Sequence, residues 1–289
     1  MKIAVFSIDA GDDVKRVIDK FFDLSIDKNI SYQIYFELHE SLNLIDHGLF
    51  NNHSDLDAEV DLMISIGGDG TFLRTLDIIR DKSIPVLGIN TGRLGFLSTM
   101  NNQNINKFYN DILNSNYKIE ERSTIQVKVL NSKVLDKVFC VGLNEISIVR
   151  KNTTSLINIK TKLDGEFLNS YWSDGLIVST PTGSTGYSLS CGGPIVSPNS
   201  NSLILTPISP HNLNARPIVI SDNTKIEINV SGREDFHLLS IDTKIISLKQ
   251  GMSIIIEKSP IKFKLVNMDG NSYYETLREK LFWGKDKRN

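Results

Sequence analysis

Several protein classes are excluded by what this chain has little of. Only two of its 289 residues are cysteines, Cys140 and Cys191, and they lack C-x-x-C spacing. That rules out a disulfide framework and the paired-thiol zinc patterns, and the two read as small buried thiols in a reducing compartment. No apolar run approaches the ~20 residues that a membrane helix needs, so no membrane association is expected. Met1–Ser7 is a short strand-like run followed by Asp9, Asp12 and Asp13. A secretory signal needs a longer apolar stretch and a small-residue cleavage site, so the expected location is cytoplasmic. An excess of one charge is missing too: 32 Lys and Arg against 34 Asp and Glu leave a formal net charge of −2. Non-specific attraction to nucleic acid is therefore not expected. Lys285, Lys287 and Arg288 make the tail basic, and they read as a solvated end. The five histidines, His39, His47, His53, His211 and His237, form no pair. No His, Cys, Asp or Glu cluster has metal-ligand spacing, so no resident metal is expected.

What remains is an ordinary globular composition, 40% hydrophobic and 23% charged, long enough for one large domain or two modest ones. The first hundred or so residues alternate strand and helix patterns. Lys2–Ser7, Tyr32–Phe36, Leu62–Ile66 and Pro85–Ile89 read as strands. Leu62–Ile66 is apolar on both faces, as in a buried parallel strand. Between and after them, Val14, Val17, Ile18 and Phe21 have helical spacing, and so do Leu38, Leu42 and Ile45. The same spacing recurs in Phe72, Leu76 and Ile79, and in Ile105, Phe108, Tyr109, Ile112 and Leu113. Such alternation predicts a parallel sheet with helices on its faces. The Asn-rich stretch 101–106 reads as a surface loop.

After about Glu120 the period changes to two. Ile125, Val127 and Val129 alternate with polar residues, as do Ile157, Ile159, Thr161 and Leu163, then Ile226, Ile228 and Val230; Ile254–Ile256 is a further apolar run. Asp164-Gly165 is a hairpin signal. This half is expected to be a β-rich second domain. The C-terminus returns to helix, with Ser272 and Glu275 fitting a capping box and Tyr274, Leu277 and Leu281 on one face.

The sharpest local signal is Gly67-Gly68-Asp69-Gly70-Thr71, between the strand Leu62–Ile66 and a helix expected to begin near Thr71. Ligands of parallel sheets bind beyond the carboxyl ends of the strands. Glycines there allow close approach and positive φ, and the helix N-terminus offers free N–H groups suited to phosphate. Asp69 is out of place in a pure anion cradle and reads better as a hydroxyl acceptor, although Asp69-Gly70 also satisfies a plain tight turn. Leu73 occupies the sixth position of a would-be G-x-G-x-x-G, so the dinucleotide fingerprint fails, and no G-x-x-x-x-G-K-[ST] exists. A second segment, Asp174–Pro194, runs from a strand, Leu176–Val178, into a loop dense in hydroxyls and glycines. Its hydroxyl and N–H groups suit a ribose, an amide or a base edge. It also fits a hydroxyl-rich turn region.

With both segments in place the chain resembles the NAD kinases over almost its full length. The matching runs are Gly67–Thr71, Asn144-Glu145 within Gly142–Ile148, and Asp174–Pro194; a weaker match covers Leu205–Ile220. GGDGT is shared with diacylglycerol and sphingosine kinases, whereas DGLIVSTPTGSTGYSLS is far more specific to NAD kinases. The resemblance implies an α/β N-terminal domain with a parallel sheet, residues 1–120 joined by a C-terminal helix at 271–289. A β-rich second domain would span 121–270, with NAD bound between the two. It implies transfer of a phosphoryl group from ATP to the 2′-hydroxyl of the adenosine ribose of NAD, giving NADP. Mg²⁺ or another divalent cation would arrive with ATP. By the same resemblance Gly67, Gly68, Gly70 and Thr71 form the phosphate loop and Asp69 is the proton acceptor. Asn144 and Glu145 would contact the adenosine. Asp174 and the run Thr185, Gly186, Tyr187, Ser188, Leu189 and Ser190 would line the NAD site. Arg74 matches a basic residue often placed near the diphosphate, and reads equally as an exposed helix arginine. Two positions depart from the pattern: Trp172, where a similar group of NAD kinases has arginine, and Lys244, where that group often has glutamine. Lys244 is kept as a candidate site residue and Trp172 is not. A homo-oligomer, dimer or tetramer, is expected.

A ribose hydroxyl is a weak nucleophile near neutral pH, and a carboxylate removing its proton is typically worth ~10²–10⁴ in rate. Alignment and charge neutralisation by loop N–H groups and the cation would supply the rest. The competing readings are a lipid kinase with the same loop, a non-catalytic NAD-binding sensor and an NADP-dependent oxidoreductase. The first lacks a reason for Asp174–Pro194, the second for Asp69, and the third has no fingerprint.

Overall fold

The computed structural model describes all residues except 27, 46, 93, 94, 99, 102–104, 153, 154, 269–271 and 284–289. The chain divides into two compact units, Met1–Glu121 with Lys264–Asn289, and Arg122–Phe263.

The first unit is α/β. In chain order it contains β1 (Lys2–Phe6), α1 (Asp12–Ser25), β2 (Ser31–Tyr35), α2 (Phe36–Leu42), β3 (Gly48–Phe50) and β4 (Leu62–Ile66). It continues with α3 (Asp69–Ile79), β5 (Val86–Asn90), β6 (Met100–Asn101), α4 (Ile105–Leu113) and β7 (Tyr117–Arg122). The sheet runs β3-β2-β1-β4-β5, and β1, β2, β3, β4 and β5 pair in parallel. All five residues of β4 and of β5 are buried, as required of strands covered on both faces. The helical stripe Val14, Val17, Ile18 and Phe21 packs into the same core as Ile3, Val5, Ile64 and Leu87.

Local readings shift at several places. Helix α2 ends at Leu42 because Asn43 takes a left-handed conformation, φ 50°, which closes the helix. Ile45 therefore lies outside the helix, and 77% of its surface is exposed. The Asn-rich stretch is only partly a loop: Asn101 ends β6, paired in parallel with Asn90, and Ile105 opens α4. Residues 102–104 lie outside the described ones.

The second unit is all β apart from short helical turns. It holds β8 (Ile125–Val129), β9 (Val141–Gly142), β10 (Glu145–Arg150), β11 (Ile157–Leu163), β12 (Glu166–Ser173) and β13 (Gly175–Ser179). After α5 (Tyr187–Ser190) come β14 (Ser202–Ile208), β15 (Ile218–Ser221), β16 (Ile226–Ser231), β17 (Phe236–Ile241), β18 (Lys244–Lys249) and β19 (Ser253–Lys258). Two sheets of six strands result, β15-β14-β13-β10-β17-β18 and β12-β11-β16-β19-β8-β9, with antiparallel neighbours throughout. The alternating residues of both sheets, Ile125, Ile159, Ile228 and Ile254 from one and Ile148, Val178, Leu205 and Leu239 from the other, form one core. Asp164 (φ 52°) and Gly165 (φ 87°) turn β11 into β12, with Leu163 paired to Glu166. Two successive positive φ values make the primed hairpin turn that strand twist favours. Cys140 and Cys191 are unpaired and half-buried rather than fully buried.

The chain then returns to the first unit through β20 (Phe263–Met268), whose Leu265 pairs in parallel with Val86, and ends in α6 (Tyr273–Leu281). The predicted capping box does not form. Ser272 is the N-cap but its side chain makes no capping bond; its carbonyl accepts the Thr276 N–H. The buried positions of α6 are Thr276 and Leu277, while Tyr274 is 65% exposed. A tyrosine carries a polar tip and tolerates water, so it does not set the buried face. The basic tail Lys285, Lys287 and Arg288 lies outside the described residues.

Candidate active site

In the first unit the site begins where β4 ends. Gly67 adopts φ +141°, and a Cβ there would stand 2.7 Å from Thr71 Oγ1, so both backbone and space demand glycine. Helix α3 begins at Asp69, two residues earlier than the sequence suggests, with Gly68 as an extended N-cap that offers no side chain. The Gly68 carbonyl accepts the Phe72 N–H at 3.1 Å. The N–H groups of Asp69, Gly70 and Thr71 thus belong to the first turn, where no intrahelical acceptor exists and the helix dipole is positive. Arg74, one turn on, is exposed.

Asp69 does more than open the helix. Its Oδ2 accepts the N–H of Phe96 at 2.8 Å, and its Oδ1 accepts those of Leu97 and Ser98, each at 3.0 Å. Gly95 packs directly against it, since a Cβ at Gly95 would lie 2.0 Å from Asp69 Oδ1. The far side of this loop rests on β5 at Gly88, where a Cβ would stand 2.8 Å from Ser98 Cα. Sequence reading missed Gly95–Ser98 as part of the site. The available signal was a second glycine pair, Gly92 and Gly95, just beyond the carboxyl end of a buried strand.

In the second unit, Asn144 and Glu145 sit where β9 passes into β10. The carboxylate of Asp242 accepts three consecutive backbone N–H groups, from Leu143 at 2.6 Å, Asn144 at 2.9 Å and Glu145 at 2.9 Å. From the other side the Thr180 N–H donates to the Asn144 carbonyl at 2.9 Å, and Thr180 Oγ1 donates to the Leu143 carbonyl at 2.6 Å. Gly183 presses on the same turn; its Cβ would meet Asn144 O at 2.1 Å. A Cβ at Gly186 would be 3.3 Å from Glu145 Oε2 and 3.5 Å from Asn144 Nδ2. Among the described residues Asn144 Oδ1 and Glu145 Oε2 are buried with no hydrogen-bond partner, which is unusual for native polar groups outside functional sites. Burial, reinforced by the Asp242 charge and opposed by the Tyr187 N–H, raises the Glu145 carboxyl to about 7.

The hydroxyl-rich segment, expected as a loop, contains short helical turns. After β13 it makes a 3-10 turn, Thr182–Thr185, and then α5. Its buried hydroxyls are spent internally: Ser179 donates to Thr180 O, Ser184 to Pro181 O, and Ser188 is paired with Thr206 at 2.8 Å. Ser188, expected to line the NAD site, is fully buried with its hydroxyl on Thr206. Tyr187 and Ser190 are exposed, and Thr185, Gly186 and Leu189 are half-buried. The Tyr187 hydroxyl is raised chiefly by burial, with Cys191, Asp174 and Glu145 adding to it, so this one ring lies within electrostatic reach of Asp174 and Glu145. Asp174 is ion-paired to Arg150 through Nε at 2.9 Å. Lys244, at the start of β18, donates to the Phe139 carbonyl at 2.7 Å and lies 5.3 Å from the centre of its ring. Trp172 is 55% exposed and lines a cavity of about 390 Å³ together with Asn158 and Arg233. Among the described residues no group of three or more His, Cys, Asp or Glu could hold a metal ion, and no helix is long and apolar enough to cross a membrane.

Residues 36–117 match the family described as the ATP-NAD kinase N-terminal domain, and residues 143–268 match the ATP-NAD kinase C-terminal domain. Over all of both chains the protein is 46% identical to the NAD kinase of Flavobacterium psychrophilum. The chain belongs to the ATP-NAD kinase family. The NAD kinase of Christiangramia forsetii is 45% identical, again over the whole of both chains. Among solved structures, an NAD kinase from Archaeoglobus fulgidus in complex with ATP matches with a TM-score of 0.76 at 27% identity, covering 98% of this chain and 99% of that one. Yeast NADH kinase complexed with NADH shares the fold, with a TM-score of 0.89 at 24% identity, covering 99% of this chain and 89% of that one. As an ATP-NAD kinase the protein transfers a phosphoryl group from ATP to NAD, making NADP. The lipid-kinase, NAD-sensor and oxidoreductase readings find no support in these likenesses.

Proposed function

We propose that Asp69 takes the proton from the adenosine 2′-hydroxyl of NAD while the phosphoryl group leaves ATP. The observation that carries this is the distribution of donors around its carboxylate. Among the described residues Oδ1 accepts two N–H groups and Oδ2 one, so Oδ2 keeps an acceptor direction for a hydroxyl. The three donors also fix the carboxylate at the first turn of α3, where the free N–H groups of Asp69, Gly70 and Thr71 suit ATP phosphates. The 2′-oxygen forms a bond to phosphorus, the bond from the γ-phosphorus to its bridging oxygen breaks, ADP leaves, and Asp69 holds the released proton.

Gly67–Thr71 and Arg74 in the α/β unit handle phosphate in this proposal; the β-rich unit, Arg122–Phe263, holds the nucleoside. Asn144 and Glu145 contact the adenosine, supported by their two unpartnered buried oxygens. Asp174, Thr185, Gly186, Tyr187, Leu189 and Ser190 complete the NAD contacts, Ser188 through its backbone alone. Lys244 acts at the margin, through Phe139. A divalent cation, Mg²⁺ for preference, enters as part of the ATP substrate and neutralises its phosphates. A homo-oligomer, dimer or tetramer, is supported by apolar residues exposed on sheet edges, Phe167 on β12 and Ile245 on β18. A cytoplasmic location fits the two unpaired thiols.

The test uses purified protein with ATP, Mg²⁺ and either NAD or an analogue lacking only the adenosine 2′-hydroxyl. The analogue should bind and accept no phosphate, and phosphorus NMR of the NAD product should show a 2′ monophosphate ester. Steady phosphorylation of the analogue, or an ester at another hydroxyl, would overturn the assignment.

A further inference from the structure

We infer that Asp242 is a positioning residue for NAD: its carboxylate shapes the Leu143–Glu145 backbone so that Asn144 and Glu145 present their side chains beside Gly186. The inference rests on the reading of Asn144 and Glu145 as adenosine contacts.

The geometry is specific. Strand β9 ends at Gly142 and β10 begins at Glu145, so the N–H groups of Leu143 and Asn144 fall in the gap between ladders. A buried backbone N–H needs a partner, and one carboxylate serves both of these and Glu145 as well. The Asp242 N–H returns to the Glu145 carbonyl at 3.0 Å, closing a ring between the two segments.

The local turn does not explain an aspartate. Asp242 occupies the two-residue turn between the paired Ile241 and Lys244, with φ 48°. Glycine or asparagine suits a left-handed turn position at least as well. Neither could accept three N–H bonds without a competing donor or a missing side chain. The carboxylate also carries a cost, because its charge stands close enough to Glu145 to disfavour ionisation there. Thr180 and Gly183 bracket Leu143 and Asn144 from the opposite side, leaving the turn with a single shape as long as Asp242 holds it. A group that shapes a nucleoside contact in the ground state should act on affinity more than on turnover.

The experiment is steady-state kinetics of Asp242→Asn on the full chain, with thermal melts in parallel. The KM for NAD should rise about tenfold, while kcat and the KM for ATP stay within about twofold. In a background of Asn144→Ala with Glu145→Gln the same substitution should add little, because both side chains it positions are already altered. An unchanged KM for NAD in folded Asp242→Asn, with Asn144→Ala still impaired, would overturn the inference alone. Unchanged NAD affinity in Asn144→Ala would overturn the adenosine reading, and this inference with it. Should Asp242→Asn not fold, Gly142→Ala applies a gentler push, its Cβ falling 3.3 Å from Asp242 Oδ1 and 3.1 Å from Glu145 O. It should raise the KM for NAD selectively, and a uniform loss for both substrates would count against positioning.

Discussion

Gly95 lies so close to Asp69 that any side chain there would occupy the place of the carboxylate: a Cβ would stand 2.0 Å from Oδ1 and 2.7 Å from Cγ. Gly95→Ala must therefore push Asp69 aside or move the loop whose N–H groups hold it. Overpacking of this kind costs ~1–3 kcal/mol. Because the displaced group is the proposed base, kcat should drop by about tenfold or more with only a modest fall in Tm. A variant with near-normal kcat would show that the Asp69 position is not critical.

Asp69→Asn tests the base directly. The amide keeps the size and one acceptor oxygen but loses the capacity to take a proton. A fall in kcat of ~10² or more is expected, with folding checked by circular dichroism. Wild-type turnover in the folded variant would remove Asp69 from the chemistry.

For the adenosine contacts the variant is Asn144→Ala. Loss of a buried polar partner usually costs ~1–3 kcal/mol, so NAD affinity measured by calorimetry should weaken about tenfold. Unchanged affinity would reject the contact.

Glu145 should trade stability for binding. Its carboxyl is raised to about 7 from 4.5 in the folded protein, so the folded state binds more protons than the unfolded state between those values. Stability is then lost as pH rises from about 4.5 through about 7, by ~3 kcal/mol at most. Glu145→Gln should raise Tm at pH 8 and leave it nearly unchanged at pH 4.5, while weakening NAD binding. A lower Tm at pH 8 would contradict the burial account.

His237 gives the opposite dependence. It is buried within β17, and burial lowers it from 6.5 to about 4. The folded state therefore resists protonation, and its contribution is complete above pH 6.5 and lost as pH falls towards about 4, by ~3 kcal/mol. His237→Gln, which cannot ionise, should flatten the acid limb of Tm against pH over this range. An unaltered limb would assign acid sensitivity to other groups.

The sequence by itself determined the periodic elements and the two chemical strings. Val14, Val17, Ile18 and Phe21 repeat at helical spacing, Leu62–Ile66 is apolar on both faces, and the residues beyond Glu120 alternate. Each pattern is local, because burial on one face or on two leaves a record in neighbouring residues. Gly67–Thr71 and Asp174–Pro194 were legible for the same reason. Tertiary structure alone decided which groups meet. Asp69 holds amides 27 to 29 residues away, and Asp242 holds amides 97 to 99 residues away. Every non-proline residue carries such a donor, so no residue type marks Phe96–Ser98 or Leu143–Glu145 as partners. Side-chain direction was equally hidden: Ser188 and Ser190 stand two apart in one signature, yet Ser188 is buried against Thr206 and Ser190 is exposed. A hydroxyl looks the same in sequence whether it faces the core or a ligand, and only packing of the surrounding strands separates the two.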